Sequence, residues 1–240
     1  MMVFENVTFG YEPGRPVVRN ASVALKPGLT LLLGPNGCGK STLLKLALGL
    51  YAPGKGRVLL DDADIAQYGR AQLAEWIGYV PQECVLFAGT IRSNLAQRDA
   101  LAGDEEIVRA AKTAGLHSYV IDLPDGYDTD IGEAGARLSA GIRQRIAVAR
   151  ALVGDPPIVL LDEPSSNLDR QAQEELTRSL ATLARDHTIL VVTHSQVLLT
   201  ACNNIMAMEN GKLAMAGPTA EVLGRLFPNP PTPFPEKRSA

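Results

Sequence analysis

The chain has 240 residues, 46% of them hydrophobic and 20% charged, with a formal net charge of −3. Length and balance provide for a globular core in one large domain or two small ones, and the weak negative charge leaves no global basic field for nucleic acid. Three cysteines without a CxxC spacing (Cys38, Cys84 and Cys202) argue against a disulfide framework or a zinc site and fit a reducing compartment.

The start, "MMVFENVTFGYEPG", lacks the apolar stretch of a signal peptide, and no run reaches membrane-spanning length, so the chain itself reads as soluble. Residues 1 to 30 alternate like antiparallel strands, as do residues 56 to 66, and Tyr11 reads as a surface tyrosine at a strand end. Leu29 to Leu33 is a short buried strand. It runs into Gly34, Pro35, Asn36, Gly37, Cys38, Gly39, Lys40, Ser41 and Thr42, which fit G-x-x-x-x-G-K-[ST], and an apolar helix is predicted from Thr42. Glycines let such a loop curl its N–H groups around phosphate oxygens. Lys40 then reaches the β- and γ-phosphates, and the Ser41 hydroxyl suits the magnesium ion bridging them. Cys38 occupies a variable loop position as a small filler.

The strand "WIGYVPQ" delivers Gln82, which is either a solvated glutamine or a ligand for magnesium or an attacking water. From about 88 to 155 the pattern is helical. In "DEEIVRAAKTAGL" Asp104 is the expected N-cap, with Ile107, Ala111 and Ala114 on one face. "RLSAGIRQRIAVA" opens a further helix, whose buried face carries Ile142, Ile146, Ala149 and Leu152. Ser139, with Ala140 and Gly141, stands at its N-terminus, where an ordinary cap and an anion site are both open readings. The serine has no evident partner nearby in the sequence.

"PIVLLDEPSSNLD" contains four consecutive apolar residues, Ile158 to Leu161, as expected of a central parallel strand. Asp162 and Glu163 emerge at its carboxyl end, where open α/β sheets bind ligands. Asp162 suits the magnesium shell and Glu163 suits deprotonating a water. "TILVVTH" delivers His194 to the same edge, pointing to a γ-phosphate contact. "MAMENGKLAMAG" reads as a hairpin turning at Asn210-Gly211. The tail "FPNPPTPFPEKRSA", from 227 to 240, is proline-rich and reads as extended or disordered.

Together these residues resemble the nucleotide-binding domain of an ABC transporter over nearly the whole chain, residues 1–226. "GPNGCGKST" is similar to the family's Walker A loop, "IVLLDE" to Walker B and "SSNLD", ending in Asp169, to the D-loop. Gln82 matches the Q-loop, His194 the switch histidine and Tyr11 the aromatic residue that stacks on adenine. The resemblance implies an α/β P-loop ATPase fold: a mostly parallel sheet, an antiparallel β subdomain and a helical subdomain over about 88–155. It also implies ATP and Mg²⁺ as ligands, and Glu163, His194 and Gln82 as catalytic residues. "RLSAGIRQR" resembles the family signature, LSGGQ. In that family Ser139, Ala140, Gly141 and Ile142 would face a nucleotide held by a second cassette, most simply a second copy.

"LFAGTIRSNL" and "LPDGYDTDIGEAGARLS" look like exporter cassettes, with Glu133 where exporters contact their transmembrane domain; "LSAG" before "RQR" leans toward bacterial protein-secretion exporters. The expectation is a cassette excised from, or cut near, a membrane domain, working at the cytoplasmic membrane face without nucleic acid. The readings set against it are a soluble ABC-type ATPase acting on DNA or ribosomes and a regulatory cassette with little turnover. Four positions depart from the family pattern: Ala134, Ala140, Ile142 and Asn167. These bear on cassette pairing and membrane coupling rather than on chemistry within one chain.

Overall fold

Two kinds of apolar patterning divide the chain between two sheets. The computed structural model describes residues 1–226, so the proline-rich tail lies outside the described residues. In chain order the first half carries β1 Met2–Phe9, β2 Val18–Leu25, β3 Gly28–Leu33, α1 Lys40–Ala47, β4 Lys55–Leu60, β5 Ala63–Asp64, α2 Arg70–Trp76 and β6 Ile77–Val80. Four helices follow: α3 Ile91–Leu95, α4 Asp104–Thr113, α5 His117–Ile121 and α6 Ala140–Leu152. The remainder is β7 Ile158–Asp162, α7 Arg170–Leu183, β8 Thr188–Val192, α8 Gln196–Ala201, β9 Asn204–Glu209, β10 Lys212–Pro218 and α9 Thr219–Leu226.

Strands that alternate pair antiparallel in a four-stranded sheet of order β2-β1-β4-β5. The apolar runs form the centre of a six-stranded sheet of order β10-β9-β3-β8-β7-β6, parallel except for the alternating edge strand β10. Every residue of β7 and β8 is buried, as strands covered on both faces require. The hairpin joining β9 to β10 turns at Asn210 and Gly211, both with positive φ (48° and 80°), the turn whose twist matches paired strands.

The helical region packs α3 and α4 against α6, with Ile91, Ile107, Ala111 and Ile146 fully or almost fully buried. Between α5 and α6 the chain makes short 3₁₀ turns, at Gly126–Asp128 and Glu133–Gly135, rather than continuous helix. Arg98 ties this region to the sheet core by donating to the carbonyls of Ala74 and Glu75 at the end of α2 and of Val153 at the end of α6. Cations suit these sites because carbonyls at a helix C-terminus lack partners within the helix. Two expectations need correction. Helix α1 begins at Lys40, two residues before Thr42, because the loop glycine Gly39 takes a left-handed φ of 107° and serves as the N-cap. Gly103, not Asp104, is the N-cap of α4; the Asp104 carboxylate pairs instead with Arg92, and with Glu105 and Glu106 it complements the positive end of the helix.

Gly78 shows how tightly α6 lies on the sheet. A Cβ there would stand 2.2 Å from the Ala151 carbonyl oxygen and 3.0 Å from Pro156. Gly78→Ala must displace backbone, and is expected to cost about 1–3 kcal/mol, read as a lowered urea midpoint at unchanged slope.

Candidate nucleotide-binding site

The parallel strands β3, β6, β7 and β8 all end at one edge, and there a cleft of about 420 Å³ opens. Four connections supply most of its walls: Asn36, Gly37, Gly39, Lys40, Ser41 and Thr42 after β3, Gln82 after β6, Asp162 and Glu163 at the end of β7, and Val192 closing β8. Gly34, Pro35 and Cys38 complete the loop behind it, with Cys38 buried. Lys40 is only 8% exposed, and its ammonium donates to the carbonyls of Gly34 at 2.8 Å and Pro35 at 3.0 Å. A buried cation is thus held across the loop mouth, where charge-assisted bonds to an anion are strong.

Asp162 is 3% exposed, and no donor among the described residues bonds its carboxylate. Burial, together with the Asp162 charge, pushes the Tyr79 hydroxyl up to about 12. Glu163 departs from the strand with a left-handed φ of 51°, its N–H donating to Val192 O at 2.8 Å. This conformation costs a non-glycine residue about 1 kcal/mol or more, and such strain concentrates at functional sites. Burial raises the Glu163 pKa, while the nearby His194 ring and backbone N–H pull it back down. The His194 Nε2 lies 3.5 Å from Glu163 Oε1, on a side chain that is 61% exposed. A partly buried carboxylate beside a histidine at a strand end is placed to accept a proton.

Tyr11 is half exposed and stands edge-on to Phe9 and Tyr51, its hydroxyl 3.2 Å from the Thr42 hydroxyl. The surface tyrosine therefore also bonds the phosphate loop, and Tyr51 extends an aromatic wall that sequence reading did not single out.

The structure does not bring Ser139, Ala140, Gly141, Ile142 or Asp169 into the cleft. Ser139 and Ala140 are exposed at the start of α6. The serine does have a local partner, contrary to the sequence reading: it is the N-cap, and its hydroxyl accepts from Ile142 N–H at 3.3 Å. Ile142 is half-buried against the helical core. Asp169 is likewise a cap, accepting from Ala172 N–H at 2.8 Å to start α7. Sequence reasoning also missed Val17 and Val192 as cleft walls.

A glycine-rich loop crossed by a lysine, beside two strand-end acids, is the site of a P-loop nucleotide-binding protein. The chain belongs to the ABC transporter family, whose model matches residues 18–166, and it is the family's ATP-binding cassette. The uncharacterized ABC transporter ATP-binding protein y4gM of Sinorhizobium fredii is 39% identical over 92% of this chain and 38% of its own length. The mitochondrial iron-sulfur clusters transporter ATM1 of Yarrowia lipolytica is 39% identical over 92% of this chain and 31% of its own. A solved bacterial Atm1-family ABC exporter with ATP bound superimposes with a TM-score of 0.88 at 36% identity, covering 93% of this chain and 40% of that one. This chain therefore spans only about a third to two fifths of the length of these relatives. Among its described residues no helix is long and apolar enough to cross a membrane.

Lys40→Ala removes the one cation that spans the loop. ATP affinity is expected to fall about tenfold or more, the range for losing a charge-assisted bond, and calorimetry checks it. Unchanged affinity would remove Lys40 from the phosphate site.

Proposed function

We propose that this cassette, residues 1–226, hydrolyses Mg²⁺-ATP and powers export by a membrane domain through ATP-driven pairing with a second copy. One observation carries the reading: a single cleft gathers Lys40, Ser41, Gln82, Asp162 and Glu163, while the exposed Ser139 stands outside it on the same chain. A group shaped for nucleotide but remote from its own cleft suits a nucleotide on another chain.

In this reading the loop Gly34–Thr42 cradles the phosphates and Tyr11 offers its ring to adenine. The donor set fits magnesium: the cleft offers the Ser41 hydroxyl, the Gln82 amide oxygen and the Asp162 carboxylate, all hard oxygen ligands. Magnesium keeps water and phosphate oxygens and needs just one or two carboxylates. When bound, the ion neutralises charge developing on the phosphates. Glu163 accepts the proton of the water attacking the γ-phosphorus, the bond to the β–γ bridging oxygen breaks, and ADP and phosphate are left. His194 contacts the γ-phosphate and holds Glu163. Ser139, Ala140, Gly141 and Ile142 meet the second chain's nucleotide, and Asp169 shapes the D-loop between the chains. The likeness to an Atm1-family exporter supports export from the cytoplasmic face of a membrane, whereas the protein-secretion lean rests on "LSAG" and "RQR" alone.

Glu163→Gln is expected to retain Mg²⁺-ATP binding and to lower hydrolysis roughly a hundredfold or more, the range for losing a positioned base. It also removes a carboxylate that burial disfavours, so its melting temperature should not fall. Parent-rate turnover would exclude Glu163 as the base.

Action across two chains has its own test. Ser139→Arg and Lys40→Ala proteins, each inactive alone, should recover partial ATPase activity when mixed, since one site of the mixed pair keeps both intact halves. A mixture that forms the heterodimer yet stays inactive contradicts the reading.

A further inference from the structure

Sheet pairing between β7 and β8 ends at Asp162 opposite Val192, with one more bond from Glu163 N–H to Val192 O. Beyond that point the two chain segments that carry Glu163 and His194 leave the sheet and have no ladder to hold them in register. A polar network does so instead, and it rests on Gln173 of α7. The Gln173 Nε2 donates to the Leu168 carbonyl at 3.0 Å and lies 3.4 Å from that of Ser165. Its Oε1 accepts from the Ser195 hydroxyl at 2.9 Å. The amide is thereby fixed in one orientation, because a flipped amide would set its oxygen against two carbonyls.

Ser195 is the residue after His194, and its N–H donates to the Thr193 hydroxyl at 3.0 Å. Thr193 in turn meets the Ser165 hydroxyl at 3.2 Å, in a pair whose residues are 1% and 3% exposed. The circuit therefore closes: Ser165 to Thr193, Thr193 to Ser195, Ser195 to Gln173, and Gln173 back to the Ser165–Leu168 backbone. His194 is flanked on both sides by members of it, and Glu163 stands two residues before Ser165. Exposed on its own outer face, the His194 ring has only Glu163 at 3.5 Å, among the described residues, to orient it, so its placement depends on the backbone that this circuit holds.

We infer that Gln173 is a positioning residue for hydrolysis, holding the loop after Glu163 and the loop bearing His194 in one fixed relation. It touches neither nucleotide nor water, and it acts through Ser195 and the carbonyls of Ser165 and Leu168. Those carbonyls belong to the segment that ends in Asp169, so the same side chain also ties the placement of His194 to the loop proposed to lie between two cassettes. This inference rests on the hydrolytic reading above, and it gives α7 a role that its amphipathic sequence conceals.

The test uses the full chain and a double-mutant cycle. Gln173→Ala and Ser195→Ala are each expected to lower kcat about tenfold, with ATP affinity by calorimetry unchanged within about twofold. The double variant should fall no further than the worse single one, because both break the same circuit. Ser195→Thr keeps the hydroxyl and should restore most of the rate. Parent-level kcat in either single variant, additive losses in the double, or a loss explained by weaker ATP binding would overturn the inference. A readout independent of turnover comes from the chain's three histidines. Gln173→Ala should move the ring resonances of His194 and leave those of His117 and His187 in place. An unmoved His194 signal would overturn the positioning role even if the parent hydrolysed ATP. Conversely, a parent protein without ATPase activity would sink the hydrolytic reading, while the histidine spectrum would still decide whether Gln173 holds His194.

Discussion

The parallel register of β3, β8 and β7 is the constraint on which the site depends. Leu32 pairs with Val192, and Val192 pairs with Asp162, so the phosphate loop, the histidine loop and the acid pair leave the sheet at one level. Strands buried on both faces carry no inside–outside alternation to define their register, since a shift by one residue still buries an apolar side chain. The polar residues at the strand ends supply what alternation cannot. Sliding β7 inward by one position would draw Asp162 among aliphatic side chains, and an unpaired carboxylate there costs several kcal/mol. The acid that suits a metal shell therefore also marks where the strand must stop.

Much of this was legible because it is written locally. A strand, a glycine-rich turn and a helix N-terminus follow one another within Leu29–Thr42, and each half of that motif constrains the other. The strand ending in Asp162 and Glu163 and the strand ending in His194 were readable from unbroken apolar runs, since a run of that length finds enough burial only inside a covered parallel sheet. The Asn210-Gly211 turn was readable because few residue pairs tolerate its backbone. Cap positions were harder. Asp104 has the right chemistry to cap a helix, yet Gly103 takes the place one residue earlier, and Arg92, distant in sequence, claims the carboxylate. Choices of that kind are settled by tertiary partners that no local pattern contains.

Two other features lay beyond sequence reading for a different reason. The left-handed backbone at Glu163 is held by Val192 O on the neighbouring strand, so it belongs to the sheet and not to the sequence around it. Gln173 sits in a helix whose pattern gives it no distinction, between the buried Ala172 and Leu176. Its importance comes from two loops converging at the start of α7, which only the folded chain brings together.

The departures at the start of α6 follow the same logic. Ala140 is the first helical residue and carries an ordinary negative φ, so nothing in its backbone demands the glycine usual there. Gly141 has room as well, since a Cβ on it would stand 3.4 Å from Asn167 O and 3.7 Å from Leu168, in ordinary contact with the loop that precedes α7. Neither space nor φ demands glycine at that position. Ile142 exchanges a polar side chain for contact with the helical core, and its N–H is committed to Ser139. What the altered stretch keeps is the pair of N–H groups on Ala140 and Gly141. As the first residues of a thirteen-residue helix they have no carbonyl one turn back to bond, and they point from the positive end of the helix dipole. Anion recognition at this helix end can therefore survive the loss of both family residues, because backbone and dipole provide it and the side chains only refine it.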